Sequence, residues 1–206
     1  MASLYDRLVL PKILSWACSQ NPIMRQRQKV VPAAEGRVLE LGIGMGHNLR
    51  YYDPGKVSSV TGVDPSPELR AYAVAAERDP RLSVTVQDGT AEALPFEDAS
   101  FDSVVCTFTL CSVCTPAAAL SEARRVLKPG GRFLYCEHGL SPDEGVARWQ
   151  RRIDPLWSRL LGGCHVTRPV TKSIAAAGFK VERVETMYLP KTPRIAGWNE
   201  WGMARP

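Results

Sequence analysis

No apolar run in this sequence approaches the length needed to cross a bilayer. The first residues, MASLYDRLVLPKIL, lack the basic start, apolar stretch and small-residue cleavage site of a secretory signal. Aromatic residues make up only 8%, and no basic stripe with interleaved aromatics occurs, which argues against a nucleic-acid-binding face. Internal repeats and low-complexity segments are absent, so solenoid and linker architectures are excluded. With no export signal, the six cysteines read as reduced thiols of a cytoplasmic protein. What is present is 206 residues, 45% of them hydrophobic, enough for one good-sized core. The net charge of +5 tolerates an anionic partner without requiring one. Its densest basic cluster is Arg25, Arg27 and Lys29.

From about Gly36 onward, short apolar runs alternate with helical patterns, the signature of a parallel sheet wound with helices. Strands are expected at Arg37–Leu41, Val57–Val63, Leu82–Val86, Phe101–Thr107 and Arg132–Glu137. Phe101–Thr107 is nearly all apolar, as a strand buried on both faces should be. Helical spacing runs over Pro67–Arg78 and over Pro116–Leu127, the latter ended by the turn Lys128-Pro129-Gly130-Gly131. Glu144–Leu161 and Pro169–Ala177 read as helices, and Phe179–Tyr188 and Trp198–Ala204 as two last strands paired antiparallel. The expected fold is therefore α/β: a Rossmann-like, seven-stranded, mostly parallel sheet with helices on both faces and a C-terminal antiparallel pair. Residues 1–32 form a separate unit before the 33–206 domain. Leu4, Leu8, Ile13 and Trp16, with Tyr5 and Val9, give a partly amphipathic helix interrupted by Pro11. A lid packed on the domain is preferred to a helix on a membrane surface.

The most informative stretch is Val38-Leu39-Glu40-Leu41-Gly42-Ile43-Gly44-Met45-Gly46, a strand running into G-x-G-x-G and then, by expectation, into a helix. Glycines let backbone turn sharply and approach a ligand with no side chain in the way, and a helix N-terminus presents free N–H groups. A dinucleotide enzyme would place a third glycine where this chain has His47, so the loop fits a cofactor without a pyrophosphate better than it fits NAD. Asp64 ends the second strand, where an acidic side chain can accept bonds from both ribose hydroxyls.

The order ELGIGMG, GVDPSPE, GTAEALPFEDASFDSVV, EARRVLKPGGRFLYCEH resembles the class I methyltransferases of the broad "type 11" family. The resemblance covers about Arg37 to His138. It implies S-adenosylmethionine as cofactor, with Glu40, Gly42, Gly44 and Gly46 at its methionine end and Asp64, with Pro65, at the ribose. Gly89, Thr90, Ala91 and Glu92 would flank the adenine, and Thr107 would sit beside the methionine moiety. Many relatives have an aspartate where this chain has Thr90, and Asp88 lies two residues earlier.

Two features narrow the acceptor. The fourth strand runs into Thr107-Phe108-Thr109-Leu110, without the Asn/Asp-Pro-Pro-aromatic motif that enzymes methylating nucleic-acid amino groups share. The later stretch EHGLSPDEGVARWQRRIDPLWSRLLGGCHVTRP is similar to the branch containing animal alkyl-thiol methyltransferases, whose animal members carry an N-terminal membrane anchor that this sequence does not show. The expected activity is methyl transfer to a small-molecule nucleophile, a thiol first. The alternatives are N-methylation of a phospholipid amine at a membrane surface, or a non-catalytic cofactor-binding partner protein. His138, after the fifth strand, is the candidate base, with Asp154 and His165 as assistants. Each also has a plain structural reading, as a hydrogen-bonded group or a turn cap. Trp149 and Trp157, eight residues apart, are expected to pack in the core rather than line an apolar acceptor pocket. Cys106, Cys111 and Cys114, with Cys136, match a ferredoxin-like spacing, but Cys106 belongs to an apolar strand and no metal is expected.

Overall fold

A computed structural model describes Tyr5 and residues 9–206. Leu4 and Leu8 lie outside the described residues. Chain order runs α1 (Leu10–Cys18), α2 (Asn21–Val30), β1 (Gly36–Leu41), β2 (Val57–Val63), α3 (Pro67–Ala75), β3 (Val84–Gln87), β4 (Phe101–Thr107), α4 (Pro116–Val126) and β5 (Leu127–His138). Then follow α5 (Glu144–Leu160), α6 (Val170–Ala176), β6 (Lys180–Tyr188), the short α7 (Arg194–Gly197) and β7 (Trp198–Arg205).

The seven strands form one sheet in the order β3-β2-β1-β4-β5-β7-β6. The first five are parallel, and β7 pairs antiparallel with both β5 and β6. Side-chain alternation along the central strands builds two cores. Leu39, Leu41, Val104, Cys106, Phe133 and Tyr135 face α4 and α6. Val38, Val105, Leu134 and Cys136 face the other way, with Val30 of α2 and Ala73 of α3. This period of two, with helices covering both faces, is why the central strands read as continuous apolar runs.

Several boundaries move from their sequence expectation. α3 stops at Ala75 rather than Arg78, because the Arg78 guanidinium turns back onto the carbonyls of Val74 and Ala76. β5 begins at Leu127, and its register to β4 jumps from Phe101↔Leu127 to Ser103↔Arg132. Lys128–Gly131 is thus an excursion between two paired stretches, with Gly130 at φ +77°. Pro11 occupies the first turn of α1, where its missing N–H costs nothing. Trp149 is exposed on α5 beneath the Arg152 guanidinium and is not a core residue. Among the described residues, no helix is long and apolar enough to cross a membrane.

Candidate active site

Strand order changes direction between β1 and β4, and there the carboxyl ends of the strands open onto a cavity of about 920 Å³. That is the position at which such sheets bind ligands, and the volume lies in the range of about 300–1,000 Å³ usual for small-molecule sites.

The glycine loop forms one wall. Gly42 has φ +63°, and a Cβ there would lie 2.5 Å from the Thr109 side chain, whose hydroxyl donates to the Leu41 carbonyl at 3.0 Å. Gly44 has φ +54°, but a Cβ would meet only the Gly42 carbonyl at 3.8 Å; its glycine keeps the wall bare. The helix expected after this loop is reduced to a 3-10 turn, Leu49–Tyr51, since Asp53-Pro54-Gly55 turns the chain toward β2 within a few residues. Backbone, rather than a helix N-terminus, therefore faces the ligand here. Gly46 lies outside this lining, packed against Ala76 and Leu49.

Asp64 lies at the cavity wall with Pro65. One carboxylate oxygen accepts from the Gly44 N–H at 3.0 Å and the other from the Ser66 N–H at 2.9 Å. Burial pushes its pKa up, against the pull of these two N–H groups. Gly89, Thr90, Ala91 and Glu92 line the same cavity. The Glu92 carboxylate accepts from the Cys114 and Thr115 N–H groups, so it caps the start of α4. Asp88 points away, paired with Arg70.

Beneath this wall lies a buried polar network that sequence reasoning missed. Arg27 of α2, only 6% exposed, donates to Thr107 Oγ1 at 2.6 Å and Asn48 Oδ1 at 3.1 Å. Asn48 donates to Thr107 Oγ1 and to Glu40 Oε1, both at 2.9 Å, and Tyr52 donates to Glu40 Oε2 at 2.7 Å. Glu40 is thus set one layer behind the cavity instead of lining it. Burial, opposed by Tyr52, Arg27 and Asn48, pushes its pKa up to about 7. His47, beside the loop, is pulled down to about 4 by burial and by Arg27 and Arg50. The only sequence signal for Arg27 was its place in a basic cluster.

The three candidate catalytic side chains do not line the cavity. His138 ends β5, stacks on Phe108 at 6.5 Å between centroids, and faces the Cys164 thiol, Nε2 to Sγ, at 3.1 Å. Asp154 and His165 form a second pair: Asp154 Oδ2 meets His165 Nδ1 at 2.7 Å, while Oδ1 accepts from the Val166 N–H. The Cys111 thiol and the opposed His138 hold Cys164 well below the usual thiol range, against burial. His138 is raised: burial lowers it, and the facing Cys164 more than offsets that. The ferredoxin-like cysteines are not gathered. Cys106 and Cys136 lie in opposite cores and Cys114 is exposed. Phe108, at φ +54° between β4 and this cluster, is a strained non-glycine residue at the cavity wall. Glu137 fixes the segment beside it by accepting from the Thr109 and Leu110 N–H groups.

The methyltransferase domain family matches residues 39–135, the span that carries the glycine loop, Asp64 and Thr107. The chain is 37% identical over 172 residues to a thiol S-methyltransferase of Rattus norvegicus, covering 79% of this chain and 70% of that protein. It is 36% identical over 180 residues to a thiol S-methyltransferase of Homo sapiens, covering 82% and 73%. In fold it is similar to an S-adenosylmethionine-dependent methyltransferase of Thermotoga maritima, described as a possible histamine N-methyltransferase. There the TM-score is 0.69 over 98% of this chain and 97% of that one, at 24% identity. The sheet with its reversed C-terminal pair, the glycine loop and these relatives agree: the chain belongs to the S-adenosylmethionine-dependent methyltransferases of the type 11 family.

Proposed function

We propose that this enzyme methylates the sulfur of a small, apolar thiol. The observation that carries the reading is the mixed lining of the large cavity. Gly42, Gly44, Asp64 and Thr90 contribute backbone and a carboxylate to its lining, whereas Leu10, Cys18, Phe108 and Val113 contribute apolar surface and a thiol. The relatives named as thiol S-methyltransferases support the same choice.

When bound, S-adenosylmethionine supplies an activated methyl group on a sulfonium, so the chemistry asked of the protein is modest. Gly42 and Gly44 admit the methionine end against bare backbone, with Gly46 shaping the loop from behind. Asp64 would accept from the ribose hydroxyls, with Pro65 fixing the turn after it. Gly89, Thr90 and Ala91 would flank the adenine, and Glu92 holds that wall through its cap on α4. Arg27, anchored to Thr107 and Asn48, brings a fixed positive charge to the end where the methionine carboxylate belongs. Glu40 acts through Asn48 and Tyr52.

The remaining task is to align the acceptor and let its proton leave. The Cys111, His138 and Cys164 side chains lie behind Phe108. Asp154 and His165 hold the segment that carries Cys164. The described part of the N-terminal unit, α1 and α2, serves as a lid, since Leu10, Cys18 and Arg27 reach the cavity wall. The free cysteines support a reducing compartment, the cytoplasm.

The test is release of S-adenosylhomocysteine by purified protein offered alkyl thiols, amines, phenols and phosphatidylethanolamine vesicles. Turnover with thiols supports the proposal; turnover confined to vesicles replaces it with lipid methylation. Stoichiometric cofactor binding with no turnover on any acceptor would make the chain a binding protein.

A further inference from the structure

The geometry points to a thiophilic divalent-metal site, of the kind Zn²⁺ occupies, formed by Cys111, His138 and Cys164. The two sulfurs and one ring nitrogen all lie within 4.8 Å of one another, and His138 Nε2 is 3.1 Å from Cys164 Sγ. Around a tetrahedral zinc, with bonds of about 2.3 Å to sulfur and about 2.0 Å to nitrogen, neighbouring donors stand roughly 3.5–3.8 Å apart. Only small side-chain adjustments separate the present arrangement from that one. Two thiolates and a neutral imidazole cancel the charge of a dication, which a site this buried requires.

The three donors come from separate segments, and backbone contacts hold those segments together independently of the thiols. The His165 N–H donates to the Cys111 carbonyl at 2.7 Å. Arg168 clamps the loop after β4, donating to the carbonyls of Leu110 and Val113. Gly162 and Gly163, at φ +60° and +81°, make the left-handed turn that delivers Cys164. Such preorganisation by surrounding groups distinguishes a built site from a chance meeting of side chains. The ferredoxin-like spacing has no part in this cluster beyond Cys111.

Three protein donors leave one tetrahedral position open, as catalytic zinc sites do. Phe108 stacks on His138 and Ser112 meets the Cys111 thiol, and both line the cavity, so the cluster lies just behind the cavity wall and its open position is reached from there. A thiol R–SH entering it becomes metal-bound R–S⁻, and its proton passes to solvent. The metal changes neither oxidation state nor its three protein ligands. This role for the metal rests on the thiol reading given above; the site itself does not.

Metal-free, reduced full-length protein is titrated with Co²⁺ alone and followed by absorbance. The expected result is one Co²⁺ per chain with a thiolate-to-cobalt charge-transfer band. Cys111→Ser, Cys164→Ser and His138→Gln should each weaken Co²⁺ binding at least about tenfold, whereas Cys114→Ser and Cys136→Ser should bind as the parent does. Adding a simple alkanethiol should shift the band. No band with the parent protein, or a band that survives Cys164→Ser and His138→Gln, overturns the site, and the parent measurement decides even where a variant fails to fold. If the band and the variants behave as expected but only amines are methylated, the thiol reading fails and the metal site stands. If metal-free protein methylates thiols at the full rate, the metal's role in acceptor binding fails while the thiol reading stands.

Discussion

Glu40→Gln tests the buried network through its pH dependence. The Glu40 carboxyl is buried in the folded chain with a pKa of about 7, against 4.5 for an ordinary glutamate. A carboxyl whose folded pKa is raised penalises folding once it ionises. The penalty is small below the unfolded value, grows between the two values and is complete above the folded one. At about 1.4 kcal/mol per pKa unit the full penalty is about 3 kcal/mol, and it falls to under about 1 kcal/mol near pH 5. Glutamine keeps an acceptor for Asn48 and stays neutral. Relative to the parent, Glu40→Gln should therefore gain about 2.5 kcal/mol of stability on going from about pH 5 to about pH 8. Urea unfolding of the cofactor-free pair at several pH values measures this directly. Comparing the two proteins cancels other titrations. His47, lowered to about 4, acts with the opposite sign by weakening both proteins as the pH falls below the ordinary histidine range. Parallel stability curves for the two proteins would refute the buried, raised Glu40.

Asp64→Ala should weaken S-adenosylmethionine binding by about 1–3 kcal/mol, the worth of charge-assisted bonds to the ribose; calorimetry returning the parent affinity would remove Asp64 from the cofactor site. Arg27→Gln should lower stability by about 1.5–3 kcal/mol and raise KM for the cofactor, because Thr107 and Asn48 lose a buried charged donor. Arg27→Lys should restore little, since an ammonium lacks the planar fork that reaches both acceptors. The glycine loop separates two causes: Gly44→Ala should cost about 1–2 kcal/mol for its left-handed backbone. Gly42→Ala should cost clearly more in thermal unfolding, because its Cβ also collides with Thr109.

Wherever neighbouring residues decide structure, the sequence was legible. Runs such as Val38–Leu41 and Phe101–Thr107 alternate toward two cores and read as buried parallel strands, and Asp64 followed by Pro65 marked the end of the second strand at the cavity wall. The helix after Gly46 was misread because glycine-loop logic assumes one, while Pro54 follows too soon for a full helix to form. Glu40 was expected, through the family resemblance, at the methionine end of the cofactor; its place behind the wall was not legible, since Asn48 and Tyr52 reach it only through the turn that replaced the helix. Arg27 meets Thr107 across most of the first half of the chain, and a basic residue on a polar helix carries no local sign of such a partner. His138, Cys111 and Cys164 converge from the end of β5 and two loops. The resemblance to the alkyl-thiol branch touched the Gly163-Cys164 stretch but gave Cys164 no role.

The most direct measurement offers purified, reduced protein a small alkyl thiol with S-adenosylmethionine, and quantifies S-adenosylhomocysteine and the S-methyl thioether together. Equal amounts of both products, growing with time and dependent on the thiol, are predicted. S-adenosylhomocysteine formed only with amines or vesicles, and no thioether from any thiol, would contradict a thiol methyltransferase.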